Sequence, residues 1–203
     1  ELCENDEKEY VAELLLGTVT NTQDITGEVL EQKPVDVSRQ QLESVLAQFI
    51  GPQQQVPPMY SAVKIDGRKL YELARKGQSV ERKPRNIVIH QMELQEYDGK
   101  TARLRVVCSK GTYIRTLCHD IGAALGVGGC LSSLRRTRAG IFSIDACVTM
   151  EEIQTAREQE NHMALLRPVD SLFSQYPALY LGEKETLRCK NGAENAIPGM
   201  PDG

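Results

Sequence analysis

Two stretches of alternating polar and apolar residues, 86–97 and 101–108, flank the dipeptide Asp98-Gly99, and no other feature constrains the fold as much. A period of two places every second side chain on one face of a strand, and Asp-Gly supplies the backbone angles of a tight antiparallel turn. The pattern predicts a β-hairpin at the centre of an antiparallel sheet. Gly111 then breaks the alternation, and residues 114–125 continue with a helical period. Tyr113 and Arg115 therefore fall where a strand hands over to a helix. Helix N-termini favour phosphate, a guanidinium grips carboxylate or phosphate with two bonds, and a tyrosine stacks on a base. A corner with a buried tyrosine and a surface arginine is equally common in mixed α/β folds, and the segment alone leaves both readings open.

The rest of the chain supplies partners for that hairpin. Residues 9–17 read as a strand, 18–27 as a polar loop containing Asp24, and 28–31 as a short strand. Ser38 is a good N-cap for a helix over 39–49, with Leu42, Val45, Leu46 and Phe49 on one face, and Gly51-Pro52 stops it. Pro57-Pro58 excludes helix interior, so 53–60 is expected to be extended and to cross a surface. A short helix over 70–76 is closed by Gly77. Residues 134–143 read as a further strand with three arginines near its start. Thr149 to Glu152 is a capping box for a helix to about Arg157, and 165–173 is apolar enough to pack on the core. A weak strand is expected near 179–181. Together these give an α+β fold, a mixed but mainly antiparallel sheet flanked by helices.

With 203 residues, 40% of them hydrophobic, the chain can bury a sizeable core. No apolar run approaches the length of a membrane span and no secretory leader pattern occurs, which predicts a cytoplasmic protein. None of the six cysteines forms a C-x-x-C pair and the three histidines are scattered, so reduced, mostly buried thiols are expected rather than a metal site.

The net charge of −4 hides an uneven distribution. Glu1, Glu4, Asp6, Glu7 and Glu9 crowd the first ten residues against Lys8 alone. Between 64 and 85 the balance reverses. Lys64, Arg68, Lys69, Arg75, Lys76, Arg82, Lys83 and Arg85 face only Asp66, Glu72 and Glu81, and Arg103, Arg105, Lys110, Arg115, Arg135, Arg136 and Arg138 follow. A basic stripe of this kind is the footprint of a phosphate backbone, although ordinary scatter of surface charge produces similar runs.

The sequence contains no G-x-S-x-G, P-loop or G-x-G-x-x-G motif, so candidate chemistry rests on polar residues at loops and sheet ends. Asp24 beside Thr20 and Thr22, Tyr10 at a strand start, and Tyr113 with Arg115 converge if their strands are neighbours. By itself Asp24 reads equally as a turn residue whose carboxylate binds the backbone nearby.

These residues sit inside longer segments: KEY (8–10), LLGTVTNTQDITGE (15–28), PPMYSAVKIDGRKLYELARKG (57–77), CSKGTYIRTLCHDIGAALG (108–126) and LRRTRAGIF (134–142). In that order the chain resembles the TruB-type tRNA pseudouridine synthases. The resemblance implies isomerisation of a specific uridine in the TΨC loop of tRNA, with no cofactor and no metal. It implies that Tyr10 stacks on the flipped uracil, that Arg115 pairs with the catalytic aspartate, and that Asp24 belongs to the same arginine-centred network. Tyr113 becomes the second aromatic and Leu134 an apolar wall. Lys64, Arg68, Lys69 and Lys110 become substrate-binding cations on the surface that grips the T-arm.

The nucleophilic aspartate of that family lies in a G-T-L-D-P type motif upstream of KEY, and no L-D-P occurs in this chain. The family's K-P-x-G-x-T-S motif is missing too. The expectation is therefore a partial catalytic domain over 1–175, followed over 176–203 by the start of a small PUA-like RNA-binding domain. A non-catalytic tRNA-binding or tRNA-folding module is the alternative function, and the expected behaviour of this chain alone. Oligomeric state is not legible.

Overall fold

The structure, a computed structural model, describes residues 7–65, 67–174, 176–178 and 180–192. The chain divides into two compact units, Glu1–Cys147 and Val148–Gly203. In the first, the strands are β1 (Lys8–Leu16), β2 (Thr18–Thr20), β3 (Val29–Gln32), β4 (Gly51–Gln55), β5 (Lys64–Ile65), β6 (Arg68–Lys69), β7 (Arg85–Tyr97), β8 (Thr101–Cys108), β9 (Gly129–Ala139) and β10 (Phe142–Ser143). The helices are α1 (Arg39–Gln48), α2 (Leu70–Ala74) and α3 (Ile114–Ala124).

Six strands form one antiparallel sheet in the order β10-β9-β1-β8-β7-β4. The predicted hairpin is β7 and β8, and the Asp98 carboxylate closes its turn by accepting from the Lys100 and Thr101 amides at 2.8 and 2.6 Å. The central pair, however, is β1 with β8, so the first predicted strand lies inside the sheet and β7 lies next to its edge. Segment 53–60, expected to cross a surface, instead begins as edge strand β4, where Pro52 needs no inward amide partner. Pro57 and Pro58 then turn inward and are buried. Strand β9 starts five residues before its predicted beginning, because Cys130 and Leu131 fill the core, and Gly140-Ile141 turns the chain into β10. The polar loop from Thr18 opens as strand β2, paired with β3.

Register explains the core. Ala12, Leu14 and Leu16 of β1 share a face with Leu104 and Ala102 of β8, and α1 and α3 cover them with Leu42, Leu46, Ile114, Leu117 and Ile121. Helix α1 begins as predicted, with Ser38 and Gln41 forming a reciprocal capping box. The apolar face of α3 and the alternation of β1 and β8 are the two halves of one buried layer.

The opposite face of the sheet is charged and internally paired. Arg105 reaches Glu9 at 2.6 Å and Glu93 at 3.7 Å, Arg103 reaches Glu96 at 4.0 Å, and Arg138 reaches Glu7 at 3.6 Å. Arg103, Arg105 and Arg138 therefore do not extend the free basic stripe read from sequence. A hydrogen bond from Thr137 and the Arg105 guanidinium hold the Glu9 carboxyl below its ordinary range near 4.5, against the opposing pull of partial burial. A lowered folded pKa stabilises the fold above the ordinary carboxylate range and loses that contribution as pH falls through the lowered value. Glu9→Gln is thus expected to unfold at lower temperature than the parent at neutral pH, with the gap narrowing as pH falls below the ordinary carboxylate range. Thermal melts of both proteins across that range check it; a gap independent of pH would contradict this account.

In the second unit, α4 (Met150–Glu158) opens with the predicted capping box at Thr149 and Glu152. No described residue of this unit is buried, and Leu166, Val169 and Phe173 are exposed. The expected strand near 179–181 includes Leu179, which lies outside the described residues. A helix not foreseen from sequence, α5 (Glu183–Lys190), follows. Among the described residues no helix is long and apolar enough to cross a membrane. Cys108, Cys118 and Cys130 are buried free thiols, whereas Cys147 and Cys189 are exposed. Burial raises the pKa of all three buried thiols, keeping them protonated and unreactive.

Candidate functional site

The N-terminus of α3 is built by three separate loops. After β8, Ser109 stays tied to β7 through its amide and hydroxyl. Gly111 then adopts a φ of 80°, which an L side chain would strain, and Thr112 bonds back to the Ser109 carbonyl at 2.9 Å. This turn delivers Tyr113 to the N-cap position of α3. Gln55, buried at the end of β4, holds Tyr113 from both sides of its backbone: Oε1 accepts from the Tyr113 amide at 2.8 Å and Nε2 donates to its carbonyl at 3.1 Å. Sequence reading passed over Gln55. Its only local signal is a glutamine at the end of a polar strand just before two prolines.

A second glutamine fixes the other side of the same turn. Gln23 has a positive φ of 63° and accepts a bond from the buried Thr116 hydroxyl at 2.7 Å. Its backbone and that of Ile25 join the chain at Leu131 of β9. The loop carrying Asp24 is thereby docked on the first turn of α3 through Thr116. The Asp24 carboxylate turns to its own loop and accepts from the Thr26 amide at 3.0 Å and hydroxyl at 2.6 Å, while its carbonyl accepts from Thr20 and Thr22. This is the turn geometry that the sequence left open as an alternative.

Arg115 is half-buried, with Nη1 donating to the Tyr60 carbonyl at 3.4 Å. Among the described residues no carboxylate lies within ion-pair distance of it. A preorganised fork is thus presented at a helix start with most of its donors free to meet an incoming group.

Tyr10 and Leu134 reach the area along the sheet. Tyr10 pairs in register with Val106 and Arg136, and Leu134 sits opposite Ala12, so Tyr10, Leu134 and Arg136 share the core face near the start of β1. Tyr10 is half-buried while Leu134 is 45% exposed, so the face loses its cover toward this end. Burial and the nearby Cys108 raise the Tyr10 phenol above its usual value, with Arg136 pulling the other way, so the ring carries its proton at neutral pH. An apolar side chain, a protonated phenol and a guanidinium on one sheet face suit a flat, polar-edged guest.

The basic candidates form a separate surface. Lys64, Arg68 and Lys69 lie on the β5–β6 hairpin, followed by α2, and Tyr71 has Lys69 and Arg75 at 5.5 and 5.4 Å from its ring centre. No described carboxylate pairs with Lys64, Arg68, Lys69, Arg75, Arg82 or Lys83. Residues 57–63 connect this surface to Arg115, because Val63 and Ser61 accept from Leu70 and Tyr71 while Tyr60 accepts from Arg115. Lys110 projects from the exposed turn before Thr112.

Replacing Gln55 by methionine keeps its volume but leaves the Tyr113 amide without an acceptor and its carbonyl with the Leu117 amide alone, beside the buried end of β4. The expected cost is about 2 kcal/mol of stability, measurable by urea unfolding. An unchanged midpoint would show that the clamp contributes nothing.

Comparison with known proteins is consistent across three kinds of match. The family model described as TruB family pseudouridylate synthase, N-terminal domain, matches residues 1–114, and the tRNA pseudouridylate synthase B C-terminal domain matches 115–174. Proteins named tRNA pseudouridine synthase B from Stutzerimonas stutzeri and Pseudomonas putida are 48% and 44% identical over 198 and 200 residues. Those alignments cover 96% and 97% of this chain but only 65% and 66% of the relatives, so the chain spans slightly less than two thirds of their length. A crystal structure of a Cbf5-Nop10-Gar1 complex superposes with a TM-score of 0.62 at 28% identity, over 84% of this chain and 44% of that one. A structure of an H/ACA RNP bound to a substrate RNA containing 2'-deoxyuridine shares the fold at 24% identity and a TM-score of 0.57, over 84% of this chain and 42% of that one.

Proposed function

The chain belongs to the TruB family of pseudouridylate synthases, and on that premise we propose that it is the RNA-gripping part of an enzyme that isomerises a uridine in the T-arm of tRNA. Arg115 carries the reading: an unpaired guanidinium held at a helix start, beside an aromatic N-cap residue and an aspartate-bearing loop. The reaction breaks an N-glycosidic bond, turns the base and rejoins it through C5. A base drawn out of its stack loses a few kcal/mol that an aromatic face, an apolar wall and phosphate clamps must offset. Tyr10 supplies the face, Leu134 the wall, and Lys64, Arg68, Lys69 and Lys110 the clamps. Tyr113 is the second aromatic contact. Arg115 holds and releases a nucleophilic carboxylate that an upstream segment contributes, and Asp24 shapes the loop docked beside it.

On this reading the catalytic domain extends through residue 175, and residues from 176 onward begin a small C-terminal RNA-binding domain. By itself the chain is expected to bind RNA without turning it over, because no L-D-P aspartate is present. A non-catalytic tRNA-binding module would behave the same way in this chain, but its arginine fork would have no carboxylate to meet.

The test is tritium release from a T-arm hairpin labelled at uridine C5, with binding followed in the same sample. Binding that weakens steeply with salt, without release, supports the proposal. Release would assign the nucleophile to a carboxylate within the chain, Asp24 first. Failure to bind at low salt would sink the RNA reading.

A further inference from the structure

Residues 78–84 cross from α2 to β7 without regular structure, and Arg82 turns inward from that crossing. Its Nη1 donates to the Pro57 carbonyl at 3.1 Å, while its Nε is sealed from solvent with no acceptor. No described carboxylate forms an ion pair with it. A guanidinium cannot shed its proton, so a half-buried one without a counter-ion leaves a charge that an anion would satisfy. A cavity of about 390 Å³ opens against this side chain. Among the described residues, Lys64, Arg82, Lys83 and Arg85 line it against one acid, Glu81, and prolines and aliphatic side chains complete the wall. None of Tyr10, Asp24, Tyr113 or Arg115 lines it.

We propose that this cavity is a second anion site, taking one phosphate ester with part of its nucleoside against the apolar wall. The volume exceeds what a bare phosphate needs and falls at the small end of ligand pockets. Cationic groups on several sides with an apolar floor match a phosphate joined to a sugar and base better than an isolated ion. The inference rests on the RNA reading for its preferred source of phosphate, a nucleotide of the bound strand outside the reacting position. A free nucleotide offers the same chemistry.

The experiment uses the full chain, Arg82→Gln and Lys83→Glu. Arg82 also braces Pro57, so Arg82→Gln alone could act by loosening segment 57–63; Lys83 is exposed, and its reversal leaves that brace intact. Each protein is titrated with a T-arm hairpin over a salt series, and by calorimetry with uridine 5'-monophosphate and with inorganic phosphate. For a strand phosphate, Lys83→Glu is expected to weaken hairpin binding about tenfold and to reduce the slope of log affinity against log salt by about 0.7 to 0.9. Arg82→Gln moves both in the same direction. If the site serves a free nucleotide, uridine 5'-monophosphate gives heat with the parent, neither variant gives any, and hairpin affinity holds. Both results support the anion site and identify its source. Parent-like hairpin affinity and salt slope in both variants, with no heat from either small probe, overturn it. If the parent chain itself fails to bind the hairpin, the RNA reading falls, and the small-probe titrations still decide the cavity.

Discussion

Gly122→Ala is expected to be the most damaging single substitution in the first unit, costing at least about 3 kcal/mol, or roughly 6 to 12 °C in its unfolding midpoint. In an exposed helix the same change would stabilise by up to about 1 kcal/mol, because alanine loses less backbone entropy. Here α3 lies backbone to backbone against the start of β9. A methyl group on Gly122 would meet the Gly129 amide nitrogen at 2.3 Å, the Gly128 carbonyl carbon at 2.4 Å and the Gly129 Cα at 2.6 Å. Main-chain atoms cannot swing aside as a side chain would, so helix and strand must separate. That separation opens the layer formed by Leu117, Cys118, Ile121 and Leu131 and moves the turn on which Thr116 and Gln23 meet. Differential scanning calorimetry of the chain and the variant decides it. A midpoint equal to or above the parent's would show that the contact is loose enough to accept a side chain.

Arg115→Lys carries the largest expected effect on chemistry. In a protein that also supplies the upstream aspartate, it should lower kcat for uridine isomerisation by about 10²-fold, while RNA affinity stays close to the parent's. The guanidinium is placed by its bond to the Tyr60 carbonyl and by a helix start clamped at Tyr113 and Thr116, so its remaining donors are aimed before substrate arrives. Lysine keeps the charge but not the planar fork, and a point charge on a flexible stem cannot hold a carboxylate with two bonds. Single-turnover rates measured alongside hairpin binding separate the two effects. Equal losses in rate and affinity would make Arg115 one more phosphate contact.

Much of this molecule was legible from local pattern. The β7–β8 hairpin, the glycine turn before α3 and the Ser38 and Thr149 caps each depend on a few adjacent residues, so sequence reading located them to within a residue or two. The segments that carry the TruB resemblance lie largely in those places and in the loops joining them. The readings that failed needed information from elsewhere in the chain. The early start of β9 depends on Cys130 and Leu131 finding a core made by β1 and α3.

Charge shows the division most clearly. The sequence by itself determined how many cations follow Lys64, and it confined candidate chemistry to Tyr10, Asp24, Tyr113 and Arg115. Which cations remained free was a tertiary decision. Irregularities in β1–β9 pairing, between Glu9 and Tyr10 and between Glu13 and Leu14, set Arg138 opposite Glu9 and Arg136 opposite Tyr10. One extra residue in a strand sends the following side chains to the other face, so a local bulge decides whether an arginine meets an acid or an open pocket. The same holds for Gln55, whose two bonds to Tyr113 span 58 residues. A backbone clamp of that kind leaves no periodicity, and only the folded chain brings its two ends together.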